Sequence, residues 1–200
     1  MNGYSQADWQ KHYDEDDLQW DIGEVSPAIL KLAKENKIPP GKAIVPGCGQ
    51  GHEVVFLLER GLQVTGVDFA DGAVKLLRRS LAAKGLSGQI IQRNFFELDA
   101  EHDACYDLLL EQTFFCAILP EDRPKYVATA NRILKPGALL AGLFYETEKE
   151  GGPPFNTSQE DIIQHFSEMF VIETLEKTPH SVEQRAEKEL LVVMRKKSAG

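Results

Sequence analysis

The chain predicts an α/β domain built on a mainly parallel sheet, and three observations carry that prediction. Short apolar strands alternate with amphipathic helical stretches through the first two thirds of the sequence. One strand runs directly into a glycine-rich turn, and two strands succeed each other near the end with no helix between them. The alternation implies helices on both faces of the sheet, the turn implies a Rossmann-like unit, and the last pair implies an antiparallel hairpin closing one edge. A length of 200 residues suits one such domain, with a core large enough to need neither disulfides nor metals.

The elements follow in order. Residues 1–25 form an aromatic and acidic stretch containing Trp9, Tyr13 and Trp20. Helical spacing of Ile29, Leu30 and Ala33 predicts a helix over 27–37, stopped by Pro39, Pro40 and Gly41. Residues 43–45 make a strand entering the glycine turn, and 53–60 the helix after it. A second strand covers 63–67 and ends at Asp68. Asp71 is placed to cap a helix through about Lys84, with Val74, Leu77 and Leu81 on one face. The third strand is 89–92. The fourth, 106–110, is continuously apolar, as a strand covered on both faces should be. A helix over 121–134 stops at Pro136-Gly137, and 138–144 is the fifth strand. Gly151, Gly152, Pro153 and Pro154 make 146–158 a loop. A short helix begins near Gln159, strands cover 170–176 and 189–195, and 196–200 is a tail.

A formal charge of −9 and a pI near 5.1 argue against a surface that tracks phosphates, so no nucleic-acid partner is expected. No apolar run approaches the ~20 residues that span a bilayer, and the N-terminus shows no basic-then-apolar signal. Three cysteines, Cys48, Cys105 and Cys116, include no close pair and fit a reducing compartment. A cytoplasmic monomer acting on a small molecule, with no membrane partner, is expected. His52, His165 and His180 lack ligand spacing, so no metal is assigned.

The strand–turn–helix at Val45-Pro46-Gly47-Cys48-Gly49-Gln50-Gly51 sets backbone N–H groups beside a ligand. Its glycines fall as G-x-G-x-G, whereas a dinucleotide loop wants G-x-G-x-x-G, whose third glycine would stand at His52. An adenosyl cofactor lacking a pyrophosphate has less need of that packing, so the spacing favours S-adenosylmethionine over NAD. Asp68, about 20 residues on at the end of the next strand, is placed to accept bonds from both ribose hydroxyls; a strand-end acid or helix cap is the alternative. Asn94 and Phe95 follow the third strand, where adenine should lie, although Phe95 and Phe96 read equally well as core.

These residues carry a family resemblance. Val45 to Glu53 resembles the V-P-G-C-G-x-G-x-(D/E) loop of the thiopurine S-methyltransferase superfamily, and most of all its thiol and halide methyltransferase branch. Trp20-Asp21-Ile22-Gly23 with Ser26-Pro27 resembles the branch's W-D-x-G-x-x-(S/T)-P. The run Phe114-Phe115-Cys116-Ala117-Ile118 through Pro120 and Arg123-Pro124 resembles its F-F-C-A-x-x-P-x-x-R-P. Leu134-Lys135-Pro136-Gly137, common to many methyltransferases, and Gly151-Gly152-Pro153-Pro154-Phe155 match as well. The likeness covers most of the chain. It implies a single class I methyltransferase domain using S-adenosyl-L-methionine and yielding S-adenosyl-L-homocysteine. It also implies cofactor contacts at Trp9, Trp20, Gly47, Asp68, Asn94 and Phe95. Where the plant branch has an aspartate–tyrosine pair after the fourth strand, this chain has Glu111-Gln112, which leaves the acceptor open.

The expected reaction is methyl transfer to a small soft nucleophile: a thiol, thiopurine or halide. A thiol is a few per cent thiolate at neutral pH, so such an enzyme needs little general-base help, and no catalytic residue is assigned. Trp9 and Trp20 are read as a lid whose indoles attract the sulfonium, with simple anchoring as the alternative. Gly49 completes the cofactor loop, and Glu111 is a candidate for the cofactor's ammonium or for a local cap. Gln112, Phe114, Phe115 and Tyr145 are candidates for the acceptor wall. Cys116 reads as wall, since no covalent intermediate is needed. Arg123 matches the family but also reads as a surface charge. The other functions kept open are methylation of a small oxygen or nitrogen acceptor and a non-catalytic S-adenosylmethionine-binding protein.

Overall fold

Residues 4–147 and 149–198 are described in the computed structural model. Residues 1–3 of the expected lid, Glu148 of the expected loop and 199–200 of the expected tail lie outside them. Seven strands, β1 (Lys42–Pro46), β2 (Gln63–Asp68), β3 (Gln89–Gln92), β4 (Tyr106–Gln112), β5 (Leu134–Tyr145), β6 (Phe170–Lys177) and β7 (Glu189–Lys196), form one sheet ordered β3-β2-β1-β4-β5-β7-β6. The first five are parallel, while β7 is antiparallel to both β5 and β6. The expected hairpin is therefore present, but its second strand is inserted next to β5 and β6 forms the edge. Strand order reverses between β1 and β4, and α/β sheets bind ligands beyond the carboxyl ends of strands at such a reversal.

The helices are α1 (Gln6–Asp14), α2 (Pro27–Lys34), α3 (His52–Glu59), α4 (Asp71–Lys84), α5 (Arg123–Ile133) and α6 (Gln159–Phe166). One sheet face packs Val45, Val64, Leu108, Leu110 and Leu143 against Ile29 and Leu32 of α2, Val54 and Leu57 of α3, and Leu77 of α4. The other packs Ile44, Leu109, Leu140 and Val192 against Tyr126, Val127 and Ile133 of α5 and Ile162 and Phe166 of α6. Both faces of β4 are thus covered, which is why its apolar run does not alternate.

Element boundaries move for identifiable reasons. Helix α2 ends at Lys34 rather than 37 because Asn36 turns left-handed at φ 54°. The N–H of Lys37 then donates back to the Leu32 carbonyl at 2.9 Å, a closing bond that asparagine permits. Asp71 is the first residue of α4 and not its cap; Ala70 is the cap residue. The Asp71 carboxylate pairs with Lys75 at 2.6 Å and still favours the positive helix end. Helix α5 starts at Arg123 after a 3-10 turn over Pro120–Asp122. Strand β5 starts earlier than 138 because Pro136 and Gly137 bulge out between two paired stretches, Tyr106 opposite Leu134 and Leu108 opposite Leu139. Lys196, expected in the tail, ends β7.

Candidate active site

The chain leaves β1 through three glycines at left-handed φ, 54° at Gly47, 51° at Gly49 and 82° at Gly51. A side chain at Gly47 would overlap the Phe114 ring, so loop and acceptor-side turn touch only because that position is glycine. Gly49 donates its N–H to Asp68 Oδ2 at 3.0 Å, and Gly51 begins α3 as its cap residue.

Asp68 ends β2 and is 9% exposed. Its Oδ1 accepts the Ala70 N–H at 2.9 Å. Burial raises its pKa against the N–H groups of Ala70, Gly49 and Phe69, which pull it down. Asp68 lines a cavity. That cavity holds about 1230 Å³ and lies beyond the carboxyl ends of β1, β2, β4 and β5, ample for a nucleoside cofactor and a small acceptor.

The cavity brings together seven of the residues expected at the site: Trp9, Trp20, Gly47, Asp68, Asn94, Phe114 and Tyr145. Five others do not line it. Gly49 stands behind Asp68, its N–H committed there. Phe95 is 2% exposed and packs edge-on to Phe114 and against Tyr126, so it belongs to the core. Its neighbour Phe96 faces the cavity instead. Asn94 caps the intervening 3-10 turn through Phe96 N–H at 3.1 Å, and that turn sends adjacent phenylalanines opposite ways. Phe95→Leu is accordingly expected to cost about 1 kcal/mol of stability through the lost packing. Phe96→Leu should leave stability nearly unchanged, and thermal melts of both variants compare the two directly.

Glu111 is fully buried and does not line the cavity. Its Oε1 accepts the N–H groups of Phe114 and Phe115, each at 2.8 Å, and its Oε2 accepts the Tyr126 hydroxyl at 2.6 Å. It serves as a local cap for the turn after β4, where Thr113 takes a φ of 59°. Burial pushes its pKa up to about 7, against the bonds from Tyr126, Phe115 and Phe114. Gln112, next in β4, points to the opposite sheet face and leaves its Oε1 buried without a partner. Phe115 is fully buried under the Arg123 guanidinium, 5.0 Å from its ring centre. Arg123 is 3% exposed and donates to the Asn156 carbonyl at 2.6 Å, so it is not a surface charge.

Cys116, expected as wall, and residues outside the expected set complete the wall. Tyr13 packs against Gly72 and reaches toward Gly49; burial and the Asp68 carboxylate raise its pKa. Trp20 meets Trp9, His12 and Tyr13 edge-on with centroids 5.1, 5.4 and 5.7 Å away. Helix α1 is tied down where Gln6 donates to the Phe69 carbonyl at 2.6 Å and Gln10 accepts the Gly72 N–H at 3.0 Å. At the far end stand Cys116, Ile118, Pro153, Pro154 and Arg185. Arg185 pairs with buried Glu189 at 3.3 Å and donates to the Trp20 carbonyl. Burial, chiefly, pushes the Cys116 thiol up to about 12, which suits a wall and not a nucleophile. The Phe155 N–H donates to the Cys116 carbonyl at 2.7 Å, so the 151–155 loop folds over this turn. No motif marks Arg185, a lone arginine among charged neighbours.

A second cleft of about 490 Å³ lies at the opposite end of the sheet. Its cations are already paired: Lys37 with Glu35 at 2.8 Å, Lys135 with Asp107 at 2.7 Å and Arg195 with Glu173 at 2.7 Å. No helix among the described residues is long and apolar enough to cross a membrane.

Residues 4–199 match the thiopurine S-methyltransferase family. Thiocyanate methyltransferase 1 of Arabidopsis thaliana is 32% identical over 192 residues, covering 92% of this chain and 82% of that protein. Thiopurine S-methyltransferase of Pseudomonas fluorescens (strain SBW25) is 26% identical, covering 84% of each. Among solved structures, a Burkholderia thailandensis 1,6-didemethyltoxoflavin-N1-methyltransferase with bound 1,6-didemethyltoxoflavin and S-adenosylhomocysteine superimposes with a TM-score of 0.78 at 19% identity, covering 96% of this chain and 87% of that one. The fold is that of class I methyltransferases. A glycine turn without a pyrophosphate-type third glycine, a buried strand-end aspartate and a match along nearly the whole chain converge: this protein belongs to the thiopurine S-methyltransferase family of S-adenosylmethionine-dependent methyltransferases.

Proposed function

We propose that the chain methylates a small soft anion, a thiolate, thiocyanate or halide, held at the end of the cavity bounded by Trp20, Phe114, Cys116, Tyr145 and Arg185. The observation that carries this reading is that the polar side chains bounding that end, Cys116, Tyr145 and Arg185, offer no proton acceptor. Cys116 and Tyr145 are both held protonated, their pKa values raised chiefly by burial. Arg185 is committed to Glu189; His12 and Asp17, which also line the cavity, pair with each other at 3.1 Å; and the neighbours Phe114, Ile118, Pro153 and Pro154 are apolar. An alcohol or ammonium acceptor needs a base to take its proton, whereas a thiolate or halide arrives ready to react.

In this reading Asp68 accepts the two ribose hydroxyls. Asn94, its Oδ1 spent on Phe96, offers amide N–H groups to the adenine edge, and Phe96 covers the adenine face. Residues 4–25, with Trp9 and Trp20, form the cover. Bound S-adenosylmethionine supplies an electrophilic methyl carbon on a sulfonium. An indole face beside that cation contributes ~1–2 kcal/mol once water is gone. The walls then exclude water and hold the anion in line, and placement of this kind lowers a barrier by several kcal/mol. Three free thiols and a cavity walled by one chain support a cytoplasmic monomer.

Turnover with methyl-labelled S-adenosylmethionine against bisulfide, thiocyanate, iodide, a thiopurine, a phenol and an amine tests the reading. Label is expected on the first three, and on the thiopurine only where its thiolate fits. Label confined to phenol or amine would overturn the assignment.

A further inference from the structure

His52 stands where a dinucleotide loop would carry its third glycine, and nothing in the methyl-transfer site requires a histidine there. It is the first residue of α3. Its Nε2 lies 3.0 and 3.3 Å from the two carboxylate oxygens of Asp21. The Asp21 side chain is 11% exposed and that of His52 30%. Asp21 directly follows Trp20, whose carbonyl is held by Arg185. The next residue of α3, Glu53, is buried and accepts the Ser26 N–H. Two successive residues of α3 therefore grip both ends of the 21–26 segment, one through a buried bond and one through a partly accessible ion pair. Between them Gly23 takes a φ of 76° and donates its N–H to Asp21 Oδ1 at 2.5 Å, so the turn itself holds the Asp21 carboxylate toward His52.

We propose that His52 is a positioning residue for cofactor binding: through Asp21 it latches Trp20, and with it the Trp9 and Tyr13 rings, across the cavity. The inference rests on residues 4–25 acting as a cover. The charged groups facing His52 are Asp21 and Glu24 from that segment and Glu53 from α3. Asp21 raises the histidine's pKa, Glu53 and Glu24 add to the rise, and burial opposes it. Burial is the largest influence on Asp21, yet the bonds from His52, Gly23 and Gln50 hold its carboxyl below the usual value. A histidine shifted upward keeps its ion pair at and below its ordinary value of about 6.5 and loses it as pH climbs through the raised value. The latch thus opens on the alkaline side.

The test follows hydrogen–deuterium exchange of amides 6–20 and calorimetric S-adenosylhomocysteine affinity in the full chain. It runs from about pH 6 to about pH 8.5 on wild type, Asp21→Asn, His52→Gln and His52→Lys. In wild type, protection of these amides, corrected for the intrinsic base-catalysed rate at each pH, is expected to fall, and affinity to fall about three- to fivefold across the range, the scale of one partly exposed ion pair. Asp21→Asn and His52→Gln should sit at the weak value throughout. His52→Lys, charged at every pH used, should restore the tight value at the alkaline end. His12, which pairs with Asp17 in the same segment, stays intact in all four proteins, so the slope lost in Asp21→Asn belongs to His52. Equal exchange of 6–20 in wild type and Asp21→Asn at every pH would overturn the latch, as would an unchanged pH slope in His52→Lys. Failure of the cover itself would show separately, as Trp20→Ala binding cofactor as tightly as wild type.

Discussion

Asp68→Ala is expected to weaken S-adenosylmethionine binding by about 1.5–3 kcal/mol, the value of hydrogen bonds to a charged acceptor, or roughly 10- to 150-fold in Kd. The carboxylate is held in place before any ligand arrives, by the N–H groups of Gly49 and Ala70. Its remaining lone pairs cannot be supplied by water once a cover closes. Removing it also leaves those two N–H groups unpaired, so some stability goes as well. Asp68→Asn keeps one acceptor oxygen and should fall between the two proteins. Calorimetry on variants shown by thermal melts to be folded gives the answer, and unchanged affinity would place the ribose elsewhere.

Glu111→Ala should act on stability instead of on the cofactor. It orphans three buried donors, the N–H groups of Phe114 and Phe115 and the Tyr126 hydroxyl. At ~1–3 kcal/mol for each unsatisfied group, a loss of about 4 kcal/mol is expected. In a chain of this size that lowers Tm by about 10 °C. A pH signature accompanies it. The folded pKa is raised to about 7, so from about 4.5 to that value the native state holds a proton that the unfolded chain has lost. The contribution of Glu111 to stability is therefore complete in acid, declines as pH rises through about 7, and is then flat. Glu111→Gln keeps an acceptor for the two N–H groups and should abolish that part of the slope. Denaturant melts of wild type and Glu111→Gln across this range measure the difference, and parallel curves would remove the titration assigned to Glu111.

The glycine-turn side of the candidate site is legible in sequence because its signals are local. The glycine turn and Asp68 sit at the ends of adjacent strands, where spacing alone fixes their approach. Errors begin where facing depends on a single backbone turn. Phe95 and Phe96 are chemically identical, and only the 3-10 turn capped by Asn94 decides which one meets the cavity. After β4 the left-handed Thr113 resets the alternation, so Phe114 lines the site while Glu111, Gln112 and Phe115 do not. Contacts between distant parts of the chain were invisible: Arg185 against Trp20, Tyr13 over Gly72, and the insertion of β7 between β5 and β6. In the sequence His52 reads as an absent glycine and as a histidine without metal-ligand spacing, because its partner Asp21 lies 31 residues away.

A crystal structure of the full chain with S-adenosylhomocysteine tests the central claim most directly. The ribose hydroxyls are expected on Asp68 and the adenine between Asn94 and Phe96, with the sulfur facing Trp20 and the Phe114–Cys116 wall. A nucleoside bound outside the Gly47–Gly51 turn, with Asp68 touching only Gly49 and Ala70, would contradict the account.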